Sequence, residues 1–327
     1  MRKSKGGSKS AASNDGADNS ATVIPAASGG VVKEKVFQTY LAKYALAAII
    51  FSIGASIFLY PTVSAVLNER SQTVLITTYN DAVKELSEEQ KDISLEEARA
   101  YNASLVGHQT HLNDPFKDPR FGENPTYSYL KIGDIMGYLE VPKVGIALPI
   151  YEGTSDAVLK RGSGWLEGSS LPVGGESTHT VLTGHNGLPT SRLFTDITKL
   201  EVGDEFFIRN FAEILAYRVV EIQVVEPHEV AGMGIVKGKD LATLLTCYPY
   251  MINSHRLLVT GERIPYTGQL EQAAQDAQGF NFLANLTPVQ RNFVLTIVGT
   301  LAVLIIFIIL GILAYRRQRK RGKTDGS

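Results

Sequence analysis

The single cysteine of the 327-residue chain, Cys247, ends a run of alternating residues that predicts a β-strand. Pro249 stands two positions later and cannot donate to a strand ladder, so the thiol is expected at a strand end. A lone cysteine cannot form a disulfide within the chain, which makes this thiol a candidate nucleophile. The alternative is a structural role, since free cysteines are among the most buried residue types.

A thiol that attacks an amide needs a cationic neighbour, because an unperturbed cysteine with a pKa of about 8.5 is mostly protonated at neutral pH. Arg256 begins the next strand-like segment, and a hairpin would place it at the same end of the sheet as Cys247. Two histidines are candidates for the proton donor: His185, in a Gly-flanked turn after a strand, and His255, beside Arg256. These residues predict the attack of a cysteine on an amide carbonyl.

The other histidines lack a comparable setting, and we expect surface or structural roles for His108, His111, His179 and His228. No grouping of histidine, cysteine and carboxylate residues has the spacing of metal ligands. We therefore predict neither a metal nor a cofactor.

The elements that must position these residues are mostly strands. Seven segments have strand-like composition and are bounded by Gly, Pro, Asn or Asp: Ile135–Val141, Ala147–Glu152, Thr178–Thr183, Glu205–Phe211, Ala216–Val225, Leu241–Cys247 and His255–Arg263. They predict a mostly antiparallel β domain, either a closed barrel or a sandwich, and the pattern alone does not separate the two.

Helices and a long loop are expected before the strands. Residues 68–106 carry apolar side chains at three-to-four spacing, which predicts a helical pair, with Ser94 and Glu97 in a capping-box pattern. Residues 107–130 contain three prolines and no periodicity, and loops of this length often act as lids or binding segments. Residues 265–292 have the composition of a polar spacer.

Two uncharged apolar stretches, 45–67 and 293–315, are long enough to cross a bilayer. The alternative for the first is a cleavable signal peptide, although it begins far from the N-terminus and lacks an evident cleavage site. We therefore expect two retained transmembrane helices.

The charges are unevenly placed. Outside residues 68–291 there are 13 basic and 4 acidic residues, and within them 19 basic and 29 acidic residues. The positive-inside rule then places the tails, residues 1–44 and 316–327, in the cytoplasm and the middle outside the cell. The first tail has a disordered composition, and the basic second tail favours anionic lipid headgroups over nucleic acid as its partner.

The segments Thr183-Gly184-His185-Asn186-Gly187 and Thr243-Leu244-Leu245-Thr246-Cys247, followed by Arg256, together resemble the signature of the sortase family. The resemblance covers about residues 133–264. It implies an eight-stranded β-barrel, here assigned to residues 131–264, and a catalytic trio of His185, Cys247 and Arg256, which favours His185 over His255.

Within that family, two features resemble the class C sortases, which build pili. One is the second apolar stretch, and the other is Asp114-Pro115-Phe116 in the long loop, where class C enzymes carry a lid over the active site. The resemblance implies that Asp114 pairs with Arg256 and that Phe116 covers Cys247. Asn186 departs from the family, since many relatives have arginine after the histidine.

The implied activity is cleavage of an LPxTG-type sorting signal between Thr and Gly through a thioacyl intermediate, followed by transfer to a pilin lysine amine at the cell surface. The partners are then pilin subunits and the membrane, without nucleic acid. Two alternatives are a housekeeping sortase that attaches proteins to peptidoglycan and a non-catalytic, membrane-tethered pilus-assembly module.

Overall fold

The computed structural model describes residues 29–107, 112–117, 127–268, 270 and 288–324. The chain divides into two units, Met1–Gly54 and Ala55–Ser327. Helix α1, Gly29–Glu85, supplies the described part of the first unit and continues into the second, where α2 covers Glu88–Leu105. A last helix, α4, covers Pro288–Thr324.

Eight strands form a closed barrel in the order β1-β2-β3-β4-β7-β8-β6-β5. Their bounds are β1 Ile135–Val141, β2 Ile146–Glu152, β3 Ser163–Trp165, β4 Thr178–Thr183, β5 Glu205–Arg209, β6 Ile214–Val225, β7 Asp240–Tyr248 and β8 His255–Ile264. A short helix α3, Asp156–Arg161, lies between β2 and β3. The barrel is thus the correct alternative of the two predicted, and β3 and α3 are additions to the predicted elements.

Two parallel pairs interrupt an otherwise antiparallel barrel: β2 with β3, and β4 with β7. The second pair aligns Thr183 with Leu245, so β4 and β7 end at the same rim. Strand β8 returns antiparallel to β7 and therefore begins at that rim. Three chain segments consequently meet where β4 and β7 end and β8 begins.

The two faces of β7 bury different clusters because successive side chains of a strand point to opposite sides. Ala242 and Leu244 belong to the main core, together with Trp165, Phe194 and Tyr217. Leu245 belongs to a second cluster, whose buried members are Leu112, Leu166, Val181, Val230, Leu245 and Leu258. Burying one such side chain stabilises the fold by about 1.5–3 kcal/mol.

The capping box at the start of α2 is formed by Ser87 and Gln90, so the predicted Ser94–Glu97 box is wrong. Ser94 lies inside α2, where its neighbours' backbone groups are already engaged in the helix. Ser87 instead follows the short break after α1, and its hydroxyl accepts a hydrogen bond from the backbone N–H of Gln90 at 3.2 Å.

From Asn68 onward, polar side chains of α1 contact the barrel unit. The Asn68 amide donates to the carbonyl of Thr190 at 2.9 Å, and the Gln72 amide donates to the carbonyl of Arg161 at 3.1 Å. The Tyr79 side chain is 1% exposed, and its hydroxyl donates to the carbonyl of Met136. The C-terminal part of α1 is therefore packed on the protein.

Among the described residues, one helical stretch, Ile49–Glu85, is long and apolar enough to cross a membrane. Before Asn68 several of its large apolar side chains are exposed, including Ile53, Ile57 and Phe58. In α4 the described apolar stretch is shorter, Arg291–Ile306. One of the two expected spans thus has a matching helix, and the second stays a prediction.

Candidate functional site

Cys247 and Arg256 stand opposite each other on paired strands, aligned in the β7–β8 register. Both are buried, with exposures of 6% and 3%. The Arg256 guanidinium donates from Nη1 to the carbonyls of Asn253 and His255 at 3.1 and 2.8 Å. The turn between the strands thus fixes the arginine beside the thiol, as the sequence predicted for a hairpin.

His185 follows the end of β4 and is tied to the strand that carries the thiol. The Gly184 N–H donates to the Leu245 carbonyl at 3.2 Å, and the Thr246 hydroxyl donates to the Gly184 carbonyl at 2.6 Å. On its other side, the Asn186 amide donates to the Cys247 carbonyl at 2.9 Å. These contacts place His185 at the rim with Cys247 and Arg256.

The competing candidate, His255, has a different environment. Its Nδ1 lies 2.8 Å from the hydroxyl of the adjacent, exposed Ser254, and in the strand register it faces Tyr248. Asn186, the residue that departs from the family pattern, is 6% exposed and is used to hold the His185 turn against β7. The neighbours of His185 in the chain, Gly184 and Asn186, are thus both hydrogen-bonded to the end of β7 that carries Cys247.

Gly184 positions His185 through a close approach of its backbone to Phe194. A Cβ atom at Gly184 would lie 2.5 Å from Phe194 Cδ1, and the Phe194 ring is fully buried. We expect Gly184→Ala to lower the free energy of unfolding by about 1–3 kcal/mol, because a packed ring must move. Urea unfolding followed by the fluorescence of Trp165, the one tryptophan, measures this change.

The matched control for this substitution is Gly234→Ala, where an added Cβ would meet no atom of the described residues within 4 Å. We expect the control to unfold within about 0.5 kcal/mol of the wild type. Equal stabilities of the two variants would show that the Phe194 contact does not constrain the turn.

Residues 112–117 of the loop before the barrel lie at this rim and are called the lid here. The Asp114 carboxylate accepts two hydrogen bonds from Arg256, from Nε at 2.9 Å and from Nη2 at 2.7 Å. The side chains of this pair are 7% and 4% exposed. The predicted pairing of Asp114 with Arg256 is present in the structure.

The Phe116 ring lies close to both Arg256 and His185. Its ring centroid is 5.1 Å from the Arg256 guanidinium carbon and 5.8 Å from the centroid of the His185 ring. Pro115, which stands between Asp114 and Phe116 in the chain, is buried. The lid therefore contacts Arg256 and His185 directly in this closed arrangement.

Leu112 anchors the lid and was missed by the sequence reasoning. It is 2% exposed and packs in the second cluster against Val181, Leu245 and Leu258. Val181 lies on β4, which ends next to His185, and Leu245 lies on β7, which carries Cys247. Leu112 therefore packs against the two strands that position His185 and Cys247. An isolated leucine in a loop without periodicity carries no signal of burial.

The resting protonation states follow from burial. Burial raises the pKa of Cys247 to about 11; the Arg256 charge lowers this pKa, and the Asp114 charge raises it. Burial lowers the pKa of His185, the carboxylate of Asp156 raises it, and Lys160 lowers it again. At neutral pH the closed site therefore holds a neutral thiol beside a neutral imidazole.

His179 and His228, for which surface or structural roles were predicted, have surroundings that fit such roles. His179 is buried, with Nδ1 2.8 Å from the Gly234 carbonyl and Nε2 2.7 Å from the Thr243 hydroxyl. His228 is exposed, 3.4 Å from Glu226. His108 and His111 lie outside the described residues, and within those residues no histidine, cysteine and carboxylate cluster could hold a metal ion.

Comparison with known proteins gives one consistent result. The model of the Sortase domain family matches residues 139–264. Two solved structures match this chain over almost all of their own length. They are Group B Streptococcus Pilus Island 1 Sortase C2, with 49% identity, and Streptococcus pneumoniae Sortase C, with 43% identity. The first covers 55% of this chain and 100% of its own, with a TM-score of 0.52; the second covers 59% and 97%, with a TM-score of 0.54.

A curated relative is more distant. Sortase D of Bacillus subtilis (strain 168) is 29% identical over 136 residues, which is 40% of this chain and 65% of that protein. The chain thus spans just under two thirds of this relative.

Proposed function

The chain belongs to the sortase family of cysteine transpeptidases, and from this premise we propose that it cleaves an LPxTG-type sorting signal between Thr and Gly and joins the signal to a pilin lysine amine. The observation that carries the proposal is the meeting of Cys247, Arg256 and His185 at one rim of the barrel. A nucleophile, a cation and a proton carrier at one place suit acyl transfer.

In the first half-reaction, the Cys247 thiolate attacks the carbonyl carbon of the signal's threonine. The bond from that carbon to the glycine nitrogen breaks, and His185, as imidazolium, gives the departing amine its proton. Arg256 donates hydrogen bonds to the substrate backbone or to the oxygen on which negative charge develops. The product is a thioacyl bond between Cys247 and the threonine.

In the second half-reaction, a lysine amine of the next pilin subunit attacks the thioacyl carbon. The bond to the Cys247 sulfur breaks, and neutral His185 accepts the proton lost by the amine. The result is an isopeptide bond, and repeated cycles lengthen a polymer. Water in place of the amine would convert the same chemistry into proteolysis.

The lid is the proposed guard against that side reaction. Asp114 occupies the hydrogen-bonding side of Arg256, and Phe116 lies against His185 and Arg256, so a substrate must displace both. Access to the thiol then depends on lid opening, as in other enzymes gated by a loop. The assignment to pilus assembly rests on this lid and on the similarity to the two Streptococcus sortases, one of a pilus island and the other described with pilin substrates.

For the membrane we propose two spans, 45–67 and 293–315, with both termini in the cytoplasm and the barrel outside. The exposed apolar side chains of α1 before Asn68 and of α4, such as Ile57, Phe58 and Leu301, support contact with lipid. The basic residues after residue 315 support a cytoplasmic C-terminus.

The test is direct capture of the thioacyl intermediate. The full chain in detergent micelles is incubated with an LPxTG peptide and analysed by mass spectrometry, with Cys247→Ala as the matched variant. We expect the acyl mass on the wild type and its absence from the variant, which lacks the chain's one thiol. Addition of a lysine-containing pilin peptide should release the acyl group as a cross-linked product.

An acyl mass that persists in Cys247→Ala would overturn the assignment of the nucleophile. Absence of the mass from both the wild type and a lid-opened Asp114→Asn variant would overturn the transpeptidase proposal itself.

A further inference from the structure

The His185 ring has a charged neighbour outside the candidate trio. Its Nε2 lies 3.7 Å from Oδ1 of Asp156, which is within ion-pair distance and longer than a hydrogen bond. This Nε2 atom is buried, and no group among the described residues forms a hydrogen bond with it. The buried Nε2 of His185 therefore faces the carboxylate of Asp156.

Helix α3, which carries Asp156, is fixed on the barrel. Leu159 is 2% exposed, and the Arg161 guanidinium carbon lies 4.5 Å from the centroid of the Tyr151 ring. The Gln72 side chain of α1 donates to the Arg161 carbonyl at the end of the helix. The carboxylate is thus presented from a packed element, although Asp156 itself is 68% exposed.

We propose that Asp156 is a positioning residue for His185, holding the ring with Nε2 toward α3 so that Nδ1 is the nitrogen that exchanges the proton with substrate. This inference rests on the proposed transpeptidase function. A hydrogen bond made by one imidazole nitrogen selects the tautomer and leaves the other nitrogen for chemistry. When His185 is protonated, Nε2–H can donate to Asp156 while Nδ1–H donates to the leaving amine.

The charged groups around the His185 ring determine how strongly its protonated form is favoured. From α3, Asp156 attracts the imidazolium, and Lys160, which bonds the other oxygen of Asp156 at 2.5 Å, repels it. From the other side, the lid and β8 bring the paired charges of Asp114 and Arg256. Asp156 is therefore the carboxylate that directly favours protonated His185.

This arrangement predicts a specific change in the pH profile. The reactive form needs protonated His185 together with the Cys247 thiolate. Below the pKa of His185 every molecule already has the imidazolium, so the rate depends on the thiolate alone and Asp156→Asn should match the wild type. Above this pKa, the variant should react about two- to five-fold more slowly, the range of an exposed ion pair.

The experiment measures kcat/KM for cleavage of an LPxTG peptide against pH, using the full chain in detergent micelles. Asp156→Asn should lower the high-pH plateau and leave the acidic limb unchanged. Lys160→Met should raise the plateau, because it removes the repelling charge. Asp134→Asn is the matched control, since it removes a carboxylate that pairs with Arg161 at 3.5 Å on the same helix; its profile should match the wild type.

A second readout needs no turnover. Histidine-selective nuclear magnetic resonance of the same full-length variants should show a lower pKa for His185 in Asp156→Asn and a loss of preference for the Nε2–H tautomer. The signal is assigned by its absence from His185→Gln.

A rate reduced equally at every pH, with an unchanged His185 titration, would overturn the positioning role and leave Asp156 as a structural residue. Because the titration does not depend on catalysis, failure of the thioacyl test would refute the transpeptidase proposal without affecting this second measurement.

Discussion

Replacement of Arg256 by methionine is expected to lower kcat/KM for sorting-signal cleavage by about 10²–10³-fold, the usual cost of losing one donor to a developing oxyanion. The guanidinium is buried beside Cys247 and donates to the carbonyls of Asn253 and His255. Its Nε and Nη2 face Asp114, and these donors become available to substrate when the lid leaves. Formation of the thioacyl product from an LPxTG peptide measures the loss.

Arg256→Lys should also be severely impaired, because an ammonium keeps the charge but cannot present two parallel donors. The matched control is Arg218→Met, which removes a half-exposed arginine paired with Glu205 on another strand. We expect the control to retain wild-type activity. Near-normal turnover of Arg256→Met, in protein that melts like the wild type, would refute a substrate-binding role for this arginine.

Opening the lid should raise the rate of Cys247 modification by a small thiol reagent by about 100-fold. Asp114→Asn leaves Arg256 as a buried charge without its ionic partner, which typically costs 3–5 kcal/mol and favours the open arrangement; about 3 kcal/mol corresponds to the expected factor. The measurement is the labelling rate of the full chain at fixed pH, followed by mass spectrometry.

Two effects contribute to the labelling of Asp114→Asn, and Leu112→Ala separates them. Asp114 also raises the pKa of Cys247, so its removal increases both access and the thiolate fraction. Leu112→Ala removes an apolar anchor, at a cost of about 2–5 kcal/mol for a buried leucine, without changing any charge. It should accelerate labelling with little change in the pH dependence.

The control for both lid variants is Asn113→Ala, at an exposed position between them. Labelling of this control should equal that of the wild type. If Asp114→Asn and Leu112→Ala were labelled no faster than Asn113→Ala, the lid would not limit access to the thiol.

The strand pattern was sufficient to predict seven of the eight strands, because each presents apolar residues between turn signals long enough to recognise. The hairpin expected from the sequence placed Cys247 and Arg256 at the same end of the sheet, and the structure adds that they stand directly opposite each other. The resemblance of the His185 and Cys247 segments then supplied the candidate site residues, and the structure brings these candidates to one rim.

The parts that were missed depend on contacts between distant segments. Strand β3 has three residues, Ser163–Trp165, and it exists because β2 and β4 flank it, which no local pattern reveals. Asp156 reaches His185 only because α3 folds back over the barrel. Leu112 is buried by strands that follow it by more than 50 residues. Tertiary packing, which single-residue spacing does not encode, decides each of these cases.

Asn68 and Gln72 are one helical turn apart on α1, and their side-chain amides donate hydrogen bonds to the barrel unit. Asn68 immediately follows the proposed span, 45–67. Their targets, the carbonyls of Thr190 and Arg161, belong to the loop after His185 and to the helix of Asp156. The proposed anchor therefore continues directly into the residues that bond to the loop after His185 and to the helix of Asp156. We expect this direct connection to favour a substrate tethered to the same bilayer over a protein that diffuses freely in the surrounding medium.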